Sequence, residues 1–465
     1  MKEPKIKKSK FSNFDLGVMY FLKIIFNFNE AVLTAEIAQT LYKFVDVDIW
    51  STTIIWFIPS IAYVAISGIV RRFIFSNSIC FRFKKRVFLI FILLLNYFSY
   101  LLIFIYENLI IHNYSEKTFA FNFILAILAF TIIDVSTKIY NNIFFEELIV
   151  YSSSKIAHGL EVNGMIFEVI GKLIAAFVSG LYVILKRTDM PDFLPAFQTN
   201  IMFSYFVAML FNGAAVITVM AYFPKSVELL NHYSYKSSFE LLTKTVKDYQ
   251  QFSGKTKRMI TGAFLIFGIY WTAATSITQW VSFLFIDLYP VDKGYHMEVL
   301  DIGTAWGSLS LFIFYATYGL SSILMLQFRK SLQKYGKLIS VFINFLGFGI
   351  YLLSFLAYER NVKFFITVVG FGGCMFDMLF IRSMLKKVQR ETVLKGDSKV
   401  QREYKALQIF DLVEFFSETV FFLLLPVILQ FLDDKYWVIL LGVIYLLIIF
   451  VSKVPITEEQ FQQLE

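Results

Sequence analysis

The chain has 465 residues, 57% of them apolar and only 17% charged, with a net charge of +8 and a mean hydropathy of +0.64. That balance excludes a soluble enzyme, a secreted disulfide scaffold and a disordered chain. Twelve spans of about 20 residues would absorb roughly 240 positions, so the sequence reads as a polytopic helical membrane protein.

The apolar runs fall at about 16–42, 50–70, 87–111, 117–150, 160–185 and 200–223, and resume at about 258–288, 299–328, 337–358, 362–385, 405–432 and 435–452. Backbone groups in lipid must be satisfied internally, so each run is read as a helix. Five lysines between Met1 and Lys10 precede the first run, which is too long for a signal-peptide core and has no small-residue cleavage site after it. The expected organisation is a tail (1–15), a six-helix half (16–223), a polar connector (224–258), a second six-helix half (259–455) and a short tail (456–465).

Lys and Arg cluster in alternate loops: the N-terminal tail, Arg71–Arg86, the connector, Arg329–Lys337 and Lys386–Lys405. The loops between them carry one or two basic residues each, so every basic loop falls on one side of a twelve-span chain. Both termini are expected to be cytoplasmic, with the sequon Asn113-Tyr114-Ser115 outside. Two cysteines in opposite halves, Cys80 and Cys374, suggest no disulfide framework, and the four histidines show no metal-ligand spacing. No phosphate-binding glycine loop and no catalytic constellation is visible, so neither an ATP-driven pump nor an intramembrane enzyme is expected, and no cofactor.

Six spans, a charged connector and six more is the layout of transporters built from two related halves, with the site between them at mid-membrane. Asp134 and Asp377 are 243 positions apart, as are Glu168 and Asp411, which places each pair on equivalent helices. Ionisable groups at bilayer depth face a cavity or one another. Span one holds Lys23, Glu30 and Glu36; span ten holds Asp377 and Arg382; span eleven holds Asp411, Glu414 and Glu418. Asp134/Lys138 on span four and Glu168/Lys172 on span five are i,i+4 pairs with the acid first. Such pairs serve either to lower insertion cost or as a proton or substrate relay. The span-eleven acids have three options open: a raised pKa, pairing with Lys172 or Arg382, or water near the cytoplasmic end.

Several stretches resemble the sucrose/proton symporter-like branch of the glycoside–pentoside–hexuronide transporters, in the major facilitator superfamily. Trp50-Ser-Thr-Thr-Ile-Ile-Trp-Phe-Ile-Pro-Ser-Ile61 is similar to its second-helix motif, and Phe81-Arg-Phe-Lys-Lys-Arg86 to its basic loop. Asp134-Val135 matches its fourth-helix Asp, Trp280-Val-Ser-Phe-Leu-Phe-Ile-Asp287 the end of its seventh helix, and Gly303-Thr-Ala-Trp-Gly-Ser-Leu309 with Gly319-Leu-Ser-Ser-Ile-Leu-Met325 its eighth. The chain departs where Phe145 and Ala305 stand in place of arginines, the first of which the branch uses in sugar and proton coupling.

The resemblance implies an all-α major facilitator fold of twelve transmembrane helices in two six-helix pseudo-repeats, moving a sucrose-like disaccharide or a hexose with protons by alternating access. Proton coupling would fall to Asp134, Lys138, Glu30 and Asp377, with Lys138 replacing the lost arginine. Substrate would meet Glu168, Lys172, Trp280, Asp287, Arg382 and Asp411, and Arg82, Lys84, Lys85 and Arg86 would gate the cytoplasmic loop. Alternatives are a non-transporting receptor on the same scaffold and an uncoupled facilitative sugar carrier. The expected partners are a small polar solute, protons and the bilayer, not nucleic acid, with the chain a monomer in the plasma membrane.

Overall fold

The computed structural model describes residues 11–44, 57–67, 69–70, 84–112, 119–151, 154–187, 200–228 and 311–320, with isolated positions at 247, 250, 254, 257, 308, 309 and 323. The described elements are helices: α1 (Asn13–Phe44), α2 (Phe57–Ser67), α3 (Lys84–His112), α4 (Phe119–Ile139), α5 (Glu146–Tyr151), α6 (Ser154–Arg187), α7 (Asn200–Ala221), the single turn α8 (Lys225–Glu228) and α9 (Leu311–Leu320). Five stretches among them are long and apolar enough to cross a membrane: Asn13–Glu36, Lys85–Ile105, Ile124–Phe145, Gly159–Leu181 and Met202–Ala221.

Local chemistry sets the boundaries. Ser12 and Asp15 form a reciprocal capping box at the start of α1: the Asp15 amide donates to Ser12 Oγ (3.1 Å) and the Ser12 amide to Asp15 Oδ2 (3.0 Å). Pro59 lies in the first turn of α2, where a missing amide proton costs little. Pro224 ends α7 and opens α8, with the Val227 amide donating back to its carbonyl at 3.0 Å. Between α4 and α5 the chain does not break but widens into a π-turn, Tyr140–Phe145. One extra residue per turn there shifts the face on which Phe145 emerges.

Cross-helix contacts give the directions. Asn29 meets Asn212 and Glu36 meets Ser204, so α1 and α7 are antiparallel. Arg86 meets Val219 and Tyr100 packs on Tyr205, so α3 and α7 are antiparallel as well. Lys23 meets Glu168 and Glu30 meets Lys172, so α1 and α6 run parallel. These directions match up–down alternation of consecutive spans.

One apolar core joins α1, α3, the π-turn and α7 through Met19, Leu22, Phe26, Leu93, Tyr140, Phe144 and Val219. The opposite face of α3 displays Val87, Phe91, Leu94, Phe98, Leu102 and Ile105, an exposed apolar stripe at helical spacing that suits lipid rather than water. The centre is glued by polar groups, as expected where lipid offers helices no hydrophobic drive to associate. Asn29 and Asn212 exchange amide hydrogen bonds at 3.0 and 2.9 Å. Tyr100 Oη donates to Asn29 O (2.9 Å), Thr137 Oγ1 to Phe26 O (2.9 Å) and Tyr140 Oη to Met19 O (2.5 Å). At Gly171 a Cβ would lie 2.4 Å from Ile24 O, so only glycine permits the approach of α6 to α1.

Candidate functional site

Lys23, Asn27, Glu30 and Thr34 follow one another at helical spacing down one face of α1, and Glu168 and Lys172 do the same on α6. The close α1–α6 approach brings the two polar faces together. Glu168 bridges two cations, with Oε2 3.4 Å from Lys23 Nζ and Oε1 3.2 Å from Lys172 Nζ. Lys172 is shared in turn with Glu30 Oε1 at 3.6 Å. Among the described residues, two lysines and two glutamates thus form one chain of ion pairs. Glu30 is its most open member, with 35% of its side chain exposed, against 15% for Lys172.

Aromatic rings bound the cluster. Lys23 Nζ lies 4.6 Å from the ring centre of Phe145, the residue that the π-turn aims inward, and Lys172 Nζ lies 5.9 Å from that of Tyr315 on α9. Below Lys23, Asn27 donates to Lys23 O at 2.8 Å and exchanges amide bonds with Asn141 of the π-turn at 3.2 and 3.1 Å.

Asp134 and Lys138 form a second group on α4. They pair at 3.3 Å, and Lys138 Nζ also donates to Ser60 Oγ of α2 at 3.1 Å. Both lie within electrostatic reach of Glu30. The i,i+4 pairs expected from the sequence therefore both form, but Lys172 also joins Glu30 to Glu168. Residues that sequence reasoning divided between proton and substrate roles share one cation.

Of the basic loop, Lys85 is buried and donates to Val227 O at 3.1 Å, while Arg86 donates to Val219 O at 3.1 Å and to Met220 O. These are carbonyls at the end of α7 and in α8, where cations complement the helix dipole. Of Lys84 only the helical backbone is described, and Arg82, Trp280, Asp287, Asp377, Arg382 and Asp411 lie outside the described residues. No group of three or more His, Cys, Asp or Glu able to hold a metal occurs among the described residues.

Sequence reasoning did not place Lys23, Tyr315, Ser60 or the Asn27–Asn141 pair in the site. The spacing Lys23–Asn27–Glu30 was a usable signal, since a polar stripe in an apolar span marks its inward face. No sequence signal marks Phe145 as the seat of Lys23.

No protein-family model matches the sequence, and no curated protein does. Solved structures do match in shape. The proton:xylose symporter XylE, bound to 6-bromo-6-deoxy-D-glucose, superposes with a TM-score of 0.59 at 12% identity, over 95% of this chain and 96% of that one. The nucleoside transporter NupG gives 0.58 at 14% identity over 95% and 98%, and a variant of the E. coli fucose:proton symporter FucP gives 0.52 at 12% identity over 95% and 98%. The chain has the major facilitator fold. The Lys172–Tyr315 contact joins α6 to α9.

Proposed function

We propose that the protein is a secondary transporter that moves a small polar solute, a sugar, by alternating access with proton coupling. The observation that carries this reading is the Lys23–Glu168–Lys172–Glu30 cluster: four charged side chains, partly open, set in membrane-spanning helices of a transporter fold. Ammonium and carboxylate groups side by side suit a polar, hydroxyl-rich solute. Sugar hydroxyls can accept from the lysines and donate to the glutamates without leaving a charge uncompensated. Phe145 and Tyr315 supply aromatic faces for the apolar side of a sugar ring. Similarity in shape to the xylose and fucose symporters supports the solute class, and the ordered motifs support the sucrose-symporter-like branch.

Within the cluster we assign the travelling proton to Glu30, the most open carboxylate and the one with the longest ion pair. Asp134 is more enclosed, and its partner Lys138 is anchored to Ser60, so this pair ties α4 to α2. The expected positions Asp377, Arg382, Asp411, Trp280 and Asp287 would complete the site from the second half. The basic loops support cytoplasmic termini.

The complete pairing of Glu30 and Glu168 favours a second reading, an uncoupled carrier in which the cluster never takes up a proton. Saturable uptake from a panel of radiolabelled mono- and disaccharides by proteoliposomes is the test of transport. Sugar binding without uptake would point instead to a receptor built on the transporter scaffold.

A further inference from the structure

Gly164, Glu168 and Lys172 follow one another four residues apart, along one face of α6. A Cβ at Gly164 would lie 2.5 Å from Cε1 and 2.9 Å from Cζ of Phe145, closer than side-chain carbons approach, but 3.6 Å from its Cδ1, an ordinary contact. The outer edge of the ring therefore fills the space that a side chain at 164 would take. The ring has no easy way to yield. Phe145 is 2% exposed, and Tyr20 and Tyr140 flank it at 6.1 and 6.5 Å. Each flanking ring is itself stacked, Tyr20 on Phe167 at 4.6 Å and Tyr140 on Phe26 at 4.5 Å. The π-turn sets the face from which Phe145 emerges. Lys23 Nζ then lies 4.6 Å from the ring centre and 3.4 Å from Glu168 Oε2, so ring and carboxylate act on the same atom.

We infer that Gly164 is a positioning residue of the proposed solute site: its missing side chain leaves the slot for the Phe145 ring, and that ring holds the Lys23 ammonium in place beside Glu168. The role differs from that of Gly171, where an added side chain meets the backbone of α1 and parts the helices. At 164 it meets one ring. A methyl group there displaces the ring, and the ammonium either loses the aromatic face that attracts it or follows that face away from Glu168. Both weaken the Lys23–Glu168 pair, and a solute hydroxyl that accepts from Lys23 would meet a misplaced donor.

The inference rests on the cluster being the solute site, but two of its three tests need no solute. An alanine inside a helix is ordinarily more stable than a glycine, so a helix position without a tight neighbour predicts a higher melting temperature for Gly164→Ala. The slot predicts the opposite sign: in the purified full chain Gly164→Ala should melt lower. In Phe145→Leu, which removes Cε1 and Cζ but keeps the branch at Cγ, the same substitution should raise the melting temperature. A rise with Phe145 in place, or an equal fall in both chains, would overturn the inference. The second test needs no change at 145 and decides the matter if Phe145→Leu does not fold. The thermal coupling between Lys23→Met and Glu168→Gln should be present with Gly164 and lost with Gly164→Ala. No coupling in the first chain, or coupling that persists in the second, would overturn the inference. In proteoliposomes Gly164→Ala should raise the sugar KM about tenfold at unchanged kcat, as for the loss of one charge-assisted hydrogen bond. An unchanged KM would overturn the positioning role. No uptake by the unsubstituted protein, with both thermal results as expected, would count against the transport reading alone.

Discussion

Asn96 is fully buried on α3, and among the described residues neither atom of its amide is hydrogen-bonded. An unsatisfied buried amide costs about 1–3 kcal/mol, whereas an apolar group of the same shape costs nothing of the kind. Asn96→Leu should therefore raise the melting temperature of the purified protein; a lower one would show that the amide has a partner of consequence. Lys23 is the opposite case. Removing its charge with Lys23→Met leaves Glu168 one cation short, at a cost of about 1–2 kcal/mol, reduced because Glu168 keeps 22% of its side chain exposed. Adding Glu168→Gln should recover much of the loss, and the four-corner thermal cycle reads the coupling directly. Additive losses would mean that the pair contributes nothing as a pair.

Two devices shape the site at the scale of whole elements. The first is the α1–α6 contact at Gly171, where an added side chain meets backbone that cannot yield. Gly171→Leu should force the helices apart, separate Glu30 and Lys23 from Glu168 and Lys172, and destabilise the fold by at least the ~1–3 kcal/mol typical of overpacking. Unchanged melting and unchanged sugar binding would contradict the packing described here. The second is the polar tie at the start of α1, where Asp15 accepts from Tyr222 Oη and from Ser226 Oγ at 3.3 Å. The hydrogen bond to Asp15 raises the Tyr222 pKa above its ordinary value of 10.0, which means that the protonated phenol is the form the fold prefers. The stability it contributes is present below that ordinary value and is lost as pH rises through the higher folded one. Tyr222→Phe should lower the melting temperature near neutral pH, and the gap should narrow at strongly alkaline pH.

The spans themselves were legible. Runs expected at 16–42, 87–111, 117–150, 160–185 and 200–223 stand beside helices at 13–44, 84–112, 119–151 with its π-turn, 154–187 and 200–221. Length and hydropathy suffice there, because the bilayer imposes both. The two i,i+4 ion pairs were legible for the same reason: one helix's geometry fixes them. The link from Lys172 to Glu30 was not, since it depends on how closely two helices approach, and that is set by Gly171. The seat of Lys23 on Phe145 was hidden still deeper, because a π-turn rotates the face that a regular helix would present.

For the whole molecule, the proposed role of the charge cluster on α1 and α6 is to couple sugar movement to a proton carried by Glu30. Sugar accumulation in proteoliposomes under an imposed inward proton gradient tests it most directly. The wild type should concentrate the sugar about tenfold for a gradient of about one pH unit, if one proton moves per solute. Glu30→Gln should still exchange sugar but reach equilibration only, and Asp134→Asn, if the protein folds, should keep the gradient response. Accumulation surviving Glu30→Gln, or abolished by Asp134→Asn with exchange intact, would contradict the assignment. Wild-type uptake that never passes equilibration would contradict coupling altogether.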